Sequence, residues 1–159
     1  MYTDTEPMYG WESLPWFQLE RQVFKLQKRI YQASARDDLK TVRRLQKLLI
    51  HNRAAKLLAV RRITQDNRGK NTPGIDGVCS LTPEERLELA RNLKVGERAD
   101  PVRRVYIPKH GTDELRPLGI PTMYDRALQT LVRLALEPRV NAYFYEQEWG
   151  MMAGAWLRS

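Results

Sequence analysis

Cysteine is almost missing from this 159-residue chain, which has one, and histidine is hardly commoner, with two. A lone Cys79 forms no internal disulfide, so a disulfide scaffold is excluded and a reducing compartment is expected. His110 falls in a polar turn, and no second His or Cys is spaced to share a metal with it, so no metal site is expected. No apolar run approaches the roughly 18 residues that a membrane span needs. The N-terminus has neither the basic start nor the apolar core of a signal peptide. The expectation is a soluble intracellular protein with no membrane span, no metal and no cofactor.

Acid is scarce where base is abundant. The chain carries 27 Lys and Arg against 19 Asp and Glu, a net charge of +8. Residues 1–19 hold three acids and no Lys or Arg, residues 20–72 hold 15 basic and four acidic side chains, and residues 73–159 hold 12 of each. All the net positive charge therefore lies in the second of these stretches. A surface selected for solubility alone mixes both signs, so this imbalance points to a polyanion, whose condensed counterions are released as cations replace them. With 42% hydrophobic and 29% charged residues the composition is that of a globular protein able to bury a core.

The basic stretch reads as two amphipathic helices. In the first, Trp16, Leu19, Val23, Leu26 and Ile30 recur at spacings of three and four, with Arg21, Lys25, Lys28 and Arg29 on other faces. Asp37 or Asp38 is placed to cap the second, whose apolar residues run from Leu39 through Leu45 and Leu49 to Leu57, Leu58 and Val60. A loop from Thr64 to Gly77 follows, rich in turn formers and hydrogen-bond donors, in which Gly69, Gly74 and Gly77 permit positive φ. Its Gly69-Lys70-Asn71-Thr72 is no phosphate-binding P-loop: the leading Gly is absent and a helix precedes it. Pro83 opens a third helix with acids in its first turn. Val102 to Ile107 and Glu114 to Ile120 predict an antiparallel hairpin turning at His110–Asp113, with Val102 facing a core. A last helix runs from about Thr122 to Glu146, with Pro138 marking a kink or a restart. The fold class is α+β, mostly helical with a small antiparallel hairpin or sheet.

Pro101-Val-Arg-Arg-Val-Tyr-Ile-Pro-Lys109, then Arg116-Pro-Leu-Gly-Ile-Pro121 and Asp125-Arg-Ala-Leu-Gln129, resemble the first fingers block of the reverse transcriptases encoded in group II introns. Val60 to Gly77 resembles the segment that precedes those fingers and lies over template and primer. The likeness covers about residues 11 to 147. In Glu148-Trp-Gly-Met-Met-Ala-Gly-Ala155, Met152 and Ala155 then stand where the family has arginines. The resemblance implies that Lys109 and Arg116 bind the triphosphate of an incoming nucleotide, and that the helices before the loop help to hold intron RNA. It also implies that the metal-binding aspartates of the palm lie beyond residue 159. Asp37-Asp38 is a helix start, not a palm hairpin, so no carboxylate pair is positioned to hold two metals.

The organisation expected is an acidic, aromatic segment at 1–15, a reverse-transcriptase N-terminal-like domain at 16–147 and a diverged tail at 148–159. Within the domain, basic helices occupy 16–62, the loop 63–80 and the fingers-like part 81–147. The function expected is binding of structured RNA, intron or ribosomal or other, without catalysis. Arg53, Lys56, Arg61, Arg62, Gln65, Asn67, Arg68 and Lys70 are the candidate RNA contacts, and Lys109 and Arg116 a second phosphate or nucleotide site. Two alternatives stand beside it. One is a piece of a split reverse transcriptase; the other is an interaction module using the tail (Met151, Met152, Trp156, Leu157) or the N-terminal aromatics Tyr2, Tyr9, Trp11 and Trp16. A bacterial cytoplasm or an organellar matrix or stroma is the expected location.

Overall fold

A computed structural model of the chain describes residues 10–96 and 99–144. Five helices, α1 (Trp16–Ala35), α2 (Leu39–His51), α3 (Arg53–Arg61), α4 (Pro83–Asn92) and α5 (Met123–Phe144), accompany two antiparallel strands, β1 (Arg103–Pro108) and β2 (Leu115–Ile120). The class is the α+β one expected from the sequence.

The stripe read along α1 is the buried one: Val23, Leu26 and Ile30 lie in the core, with Trp16 and Leu19 packed against it. Asp37 takes the left-handed turn between α1 and α2 at φ 57°. Asp38 is the cap, its Oδ1 accepting from the Thr41 amide at 3.0 Å. Where the apolar series predicts one helix from Leu39 to Val60, the chain breaks at Asn52, which is extended at φ −71° and ψ 127°. Its side-chain oxygen accepts from the Ala55 amide at 3.2 Å, so one short polar side chain ends α2 and starts α3. The break lets α3 turn inward. Ala54, Ala55, Leu57, Leu58, Ala59 and Val60 are all buried, and α3 touches each of the other four helices.

Downstream of α3 the chain makes a widened π-type turn, Arg62–Asp66, and a 3-10 turn, Arg68–Asn71. A capping box opens α4: the Glu85 amide donates to Thr82 Oγ1 at 3.3 Å, and the Thr82 amide donates to Glu85 Oε2 at 2.7 Å.

Pro138 neither restarts α5 nor ends it, and its side chain is fully buried. Its missing amide leaves the Leu134 carbonyl without a donor from its own helix. Gln27 of α1 supplies one, Nε2 to oxygen at 2.9 Å. Gln46 of α2 adds a bond to the next carbonyl, Ala135, at 3.2 Å. Both glutamines thereby fasten α5 to the first helical pair.

The hairpin departs most from expectation. Its register pairs Arg103 with Ile120 and Ile107 with Arg116, and Gly111 turns it at φ 78°. The strands pack chiefly on each other. Ile120 is their one buried residue, and Val102, expected to face a core, is 49% exposed. Alternation along a strand marks a buried face only where a second layer covers it. At the other end of the chain, Trp11, which the alternative interaction-module reading would place on a partner surface, is 1% exposed. It meets Trp16 edge to face with ring centroids 4.9 Å apart. The core therefore reaches across the division expected at residue 15. Tyr2, Tyr9 and the tail at 148–159 lie outside the described residues.

Candidate nucleic-acid interface

Amphipathic helices that bury their apolar stripes must turn their cations to water. Arg21, Lys25, Lys28 and Arg29 on α1, and Lys40, Arg43, Arg44 and Lys47 on α2, are all exposed. The four on α1 are the cationic faces expected from the spacing, which says which side is outside and not what meets it.

The eight residues that were named divide into two sets. Arg53 is exposed and Lys56 half-buried on α3; Arg62, Asn67 and Arg68 are exposed at the turns beyond it. The Arg62 and Arg68 side chains have no hydrogen-bond or ion-pair partner among the described residues. Arg61, Gln65 and Lys70 are engaged with the protein itself. The Arg61 guanidinium lies 4.7 Å from the centroid of the Trp16 ring and 3.4 Å from Glu20 Oε1. Gln65 Oε1 accepts from the Trp11 indole at 3.0 Å, and Lys70 Nζ donates to the Gln65 carbonyl at 3.0 Å. Any contact these three make with a ligand competes with internal partners.

The loop after the 3-10 turn is built into the body. Arg126 on the first turn of α5 donates to three carbonyls: Nε to Pro121 at 3.0 Å, Nη1 to Gly69 at 3.2 Å and Nη2 to Thr72 at 2.6 Å. Arg103 Nη1 donates to the Pro73 carbonyl at 3.4 Å. In return, Asp76 Oδ2 accepts from the Met123 amide at 3.1 Å, completing the start of α5. Gly74 is required for space, since a Cβ there would stand 2.5 Å from the Pro121 oxygen. Of the three loop glycines read as permitting positive φ, only Gly77 uses it, at 70°. Arg126 and Asp76 had no assigned role; a charged side chain that binds backbone carbonyls or amides leaves no pattern in spacing.

Lys109 and Arg116 share one face of the hairpin as diagonal neighbours, Lys109 lying two residues past the Ile107–Arg116 pair. Lys109 Nζ is ion-paired with Glu114, and Arg116 is exposed. The arrangement can receive a phosphate at Arg116, with Lys109 joining once it leaves Glu114. Such an exposed pair is worth roughly 0–1 kcal/mol and exchanges easily.

Among the described residues no three His, Cys, Asp or Glu side chains gather as a metal site would require, and no helix is long and apolar enough to cross a membrane. Among the described acids only Asp38 is shifted: hydrogen bonds from the Thr41 side chain and amide hold it below the usual carboxylate range.

Residues 11–93 match the N-terminal domain of reverse transcriptase. The chain is 32% identical over 143 residues to maturase-like protein 1 of Euglena gracilis, covering 88% of this chain and 31% of that protein. It is 32% identical over 134 residues to protein YkfC of Escherichia coli K12, covering 80% of this chain and 34% of the other. Against the group II intron-encoded protein LtrA of Lactococcus lactis it is 37% identical over 87 residues, 53% of this chain and 14% of LtrA. The chain thus spans about a third of the first two relatives and less of the third.

Proposed function

The chain belongs to the family of group II intron reverse transcriptases and maturases, whose N-terminal region it carries, and on that premise we propose that it binds structured RNA and catalyses nothing by itself. The observation that carries this reading is the location of charge. All of the net +8 comes from residues 20–72, and the cations of α1 and α2, like Arg62 and Arg68, stand in solvent. Cations so disposed read phosphate and shape, as folded RNA requires, since its deep major groove hides base edges from side chains. Lys109 and Arg116 form a second phosphate site on the hairpin. The palm aspartates that the family uses to hold metal belong to a region outside these 159 residues, so polymerase activity is not expected of these residues by themselves. The setting proposed is a bacterial cytoplasm or an organelle that houses such introns.

Fluorescence anisotropy of a labelled RNA stem-loop against the 159-residue chain tests the reading. Affinity should fall linearly on logarithmic axes as salt rises, with a slope near 0.9 per phosphate neutralised. Salt-insensitive or absent binding overturns it. Primer extension with template, nucleotides and Mg²⁺ should yield no product.

One observation favours a second reading, a subunit of a larger assembly or one piece of a split reverse transcriptase. Tyr106 and Leu115 are 61% and 59% exposed on one face of the hairpin, with Leu118 at 45% on the other. A two-stranded ribbon this bare is marginal in water without a further layer. Recovery of a salt-resistant protein complex lacking RNA would favour that reading.

A further inference from the structure

We propose that Arg126 is the positioning residue of the RNA-binding loop: by holding the Gly69 and Thr72 carbonyls it fixes the backbone that presents Arg68. The inference rests on the RNA-binding reading above and adds to it a residue outside the contact surface.

The argument begins with what the loop lacks. Between Asn67 and Val78 the backbone has neither a helix nor a strand to satisfy its carbonyls beyond the single 3-10 turn. A segment so placed is ordinarily a mobile connector, and ordering each residue on binding would cost about 1–2 kcal/mol. Here that order exists in advance. The Arg126 guanidinium spans two loop carbonyls and the Pro121 carbonyl with donors set in a rigid plane. Arg103 holds Pro73, and Asp76 reaches back to the Met123 amide. The two segments approach so closely that residue 74 admits only glycine.

Arg126 is also charged without being neutralised. Among the described residues its side-chain partners are carbonyls, and the adjacent carboxylate, Asp125, is directed elsewhere, with Oδ2 accepting from the Asp100 amide at 2.9 Å. A full positive charge therefore sits beneath the loop while its geometry serves the backbone. Lysine at this position keeps the charge and loses the fork, which separates positioning from simple attraction.

Arg126→Lys and Arg68→Ala, singly and together in the full chain, form the test, with the labelled RNA stem-loop as probe. Arg126→Lys should weaken binding about fivefold, the loss of roughly 1 kcal/mol of held geometry, while far-UV circular dichroism stays unchanged. In the Arg68→Ala background the same substitution should cost less than about twofold, because the side chain it positions is gone. Trypsin should cut after Arg68 and Lys70 several times faster in Arg126→Lys, with no acceleration within α1 or α2. Equal losses in both backgrounds, or unaltered cleavage in the loop, overturn the proposal. If the unmodified chain does not bind RNA, the RNA reading fails with the positioning role, whereas the cleavage rates report separately that Arg126 holds the loop.

Discussion

The helical body and the hairpin obey different rules. In the body the helices share one buried core, although Phe17, Leu48, Leu136 and Val140 face outward, and α3 is so enclosed that its helix has almost no outer face. In the hairpin the backbone ladder is complete, yet the side chains on both faces are mostly exposed. A helix bundle of this size closes on itself, because three or more elements share one core; two strands have only each other. The body therefore serves as the scaffold and the hairpin as a projection from it. The cations divide accordingly, into those exposed on the body and the pair on the hairpin.

Substitutions can sharpen or break that contrast. The largest effect is expected in the body: Leu131→Ala, at a position with no exposure, should cost about 2–5 kcal/mol in urea unfolding. Next comes the cationic surface. Arg62→Glu with Arg68→Glu should reduce RNA affinity at least about tenfold and lower the salt slope by roughly 2, leaving the unfolding midpoint in place. Gln27→Leu, which abandons the Leu134 carbonyl, should cost about 1–3 kcal/mol. Tyr106→Ala on the hairpin should change stability by no more than about 0.5 kcal/mol; a loss as large as that of Leu131→Ala would erase the distinction between body and projection. The smallest effect concerns acid. Because the folded Asp38 carboxyl titrates below its ordinary 3.8, its contribution is complete above that pH and disappears as the pH falls through the lower folded value. The stability gap between the chain and Asp38→Ala should accordingly narrow below pH 3.8.

Elements with local causes were legible. The α1 stripe follows from periodicity, the α2 start from an aspartate and the hairpin turn from His110-Gly-Thr-Asp113, and all three occur. What escaped depends on the third dimension. The α2–α3 break hides inside a continuous apolar series, since Asn52 resembles any polar residue until α3 has somewhere to turn. Trp11 reads as a surface aromatic in an acidic segment because the Gln65 side chain that receives its indole lies 54 residues away. Among the candidate contacts, Arg62 and Arg68 stand in solvent as expected, but Arg61 and Lys70 have internal partners that composition cannot reveal.

The proline in α5 bears on the order of assembly. A helix interrupted in this way is incomplete as an isolated peptide, because its Leu134 carbonyl looks for a donor that its own sequence does not contain. The donor, Gln27, resides in a segment that leaves the ribosome well before residue 138 is added. The last helix thus finds its missing donor in a segment made earlier, and its fit there also checks alignment: a slip of one turn along α1 would strand the Leu134 carbonyl and Gln27 together.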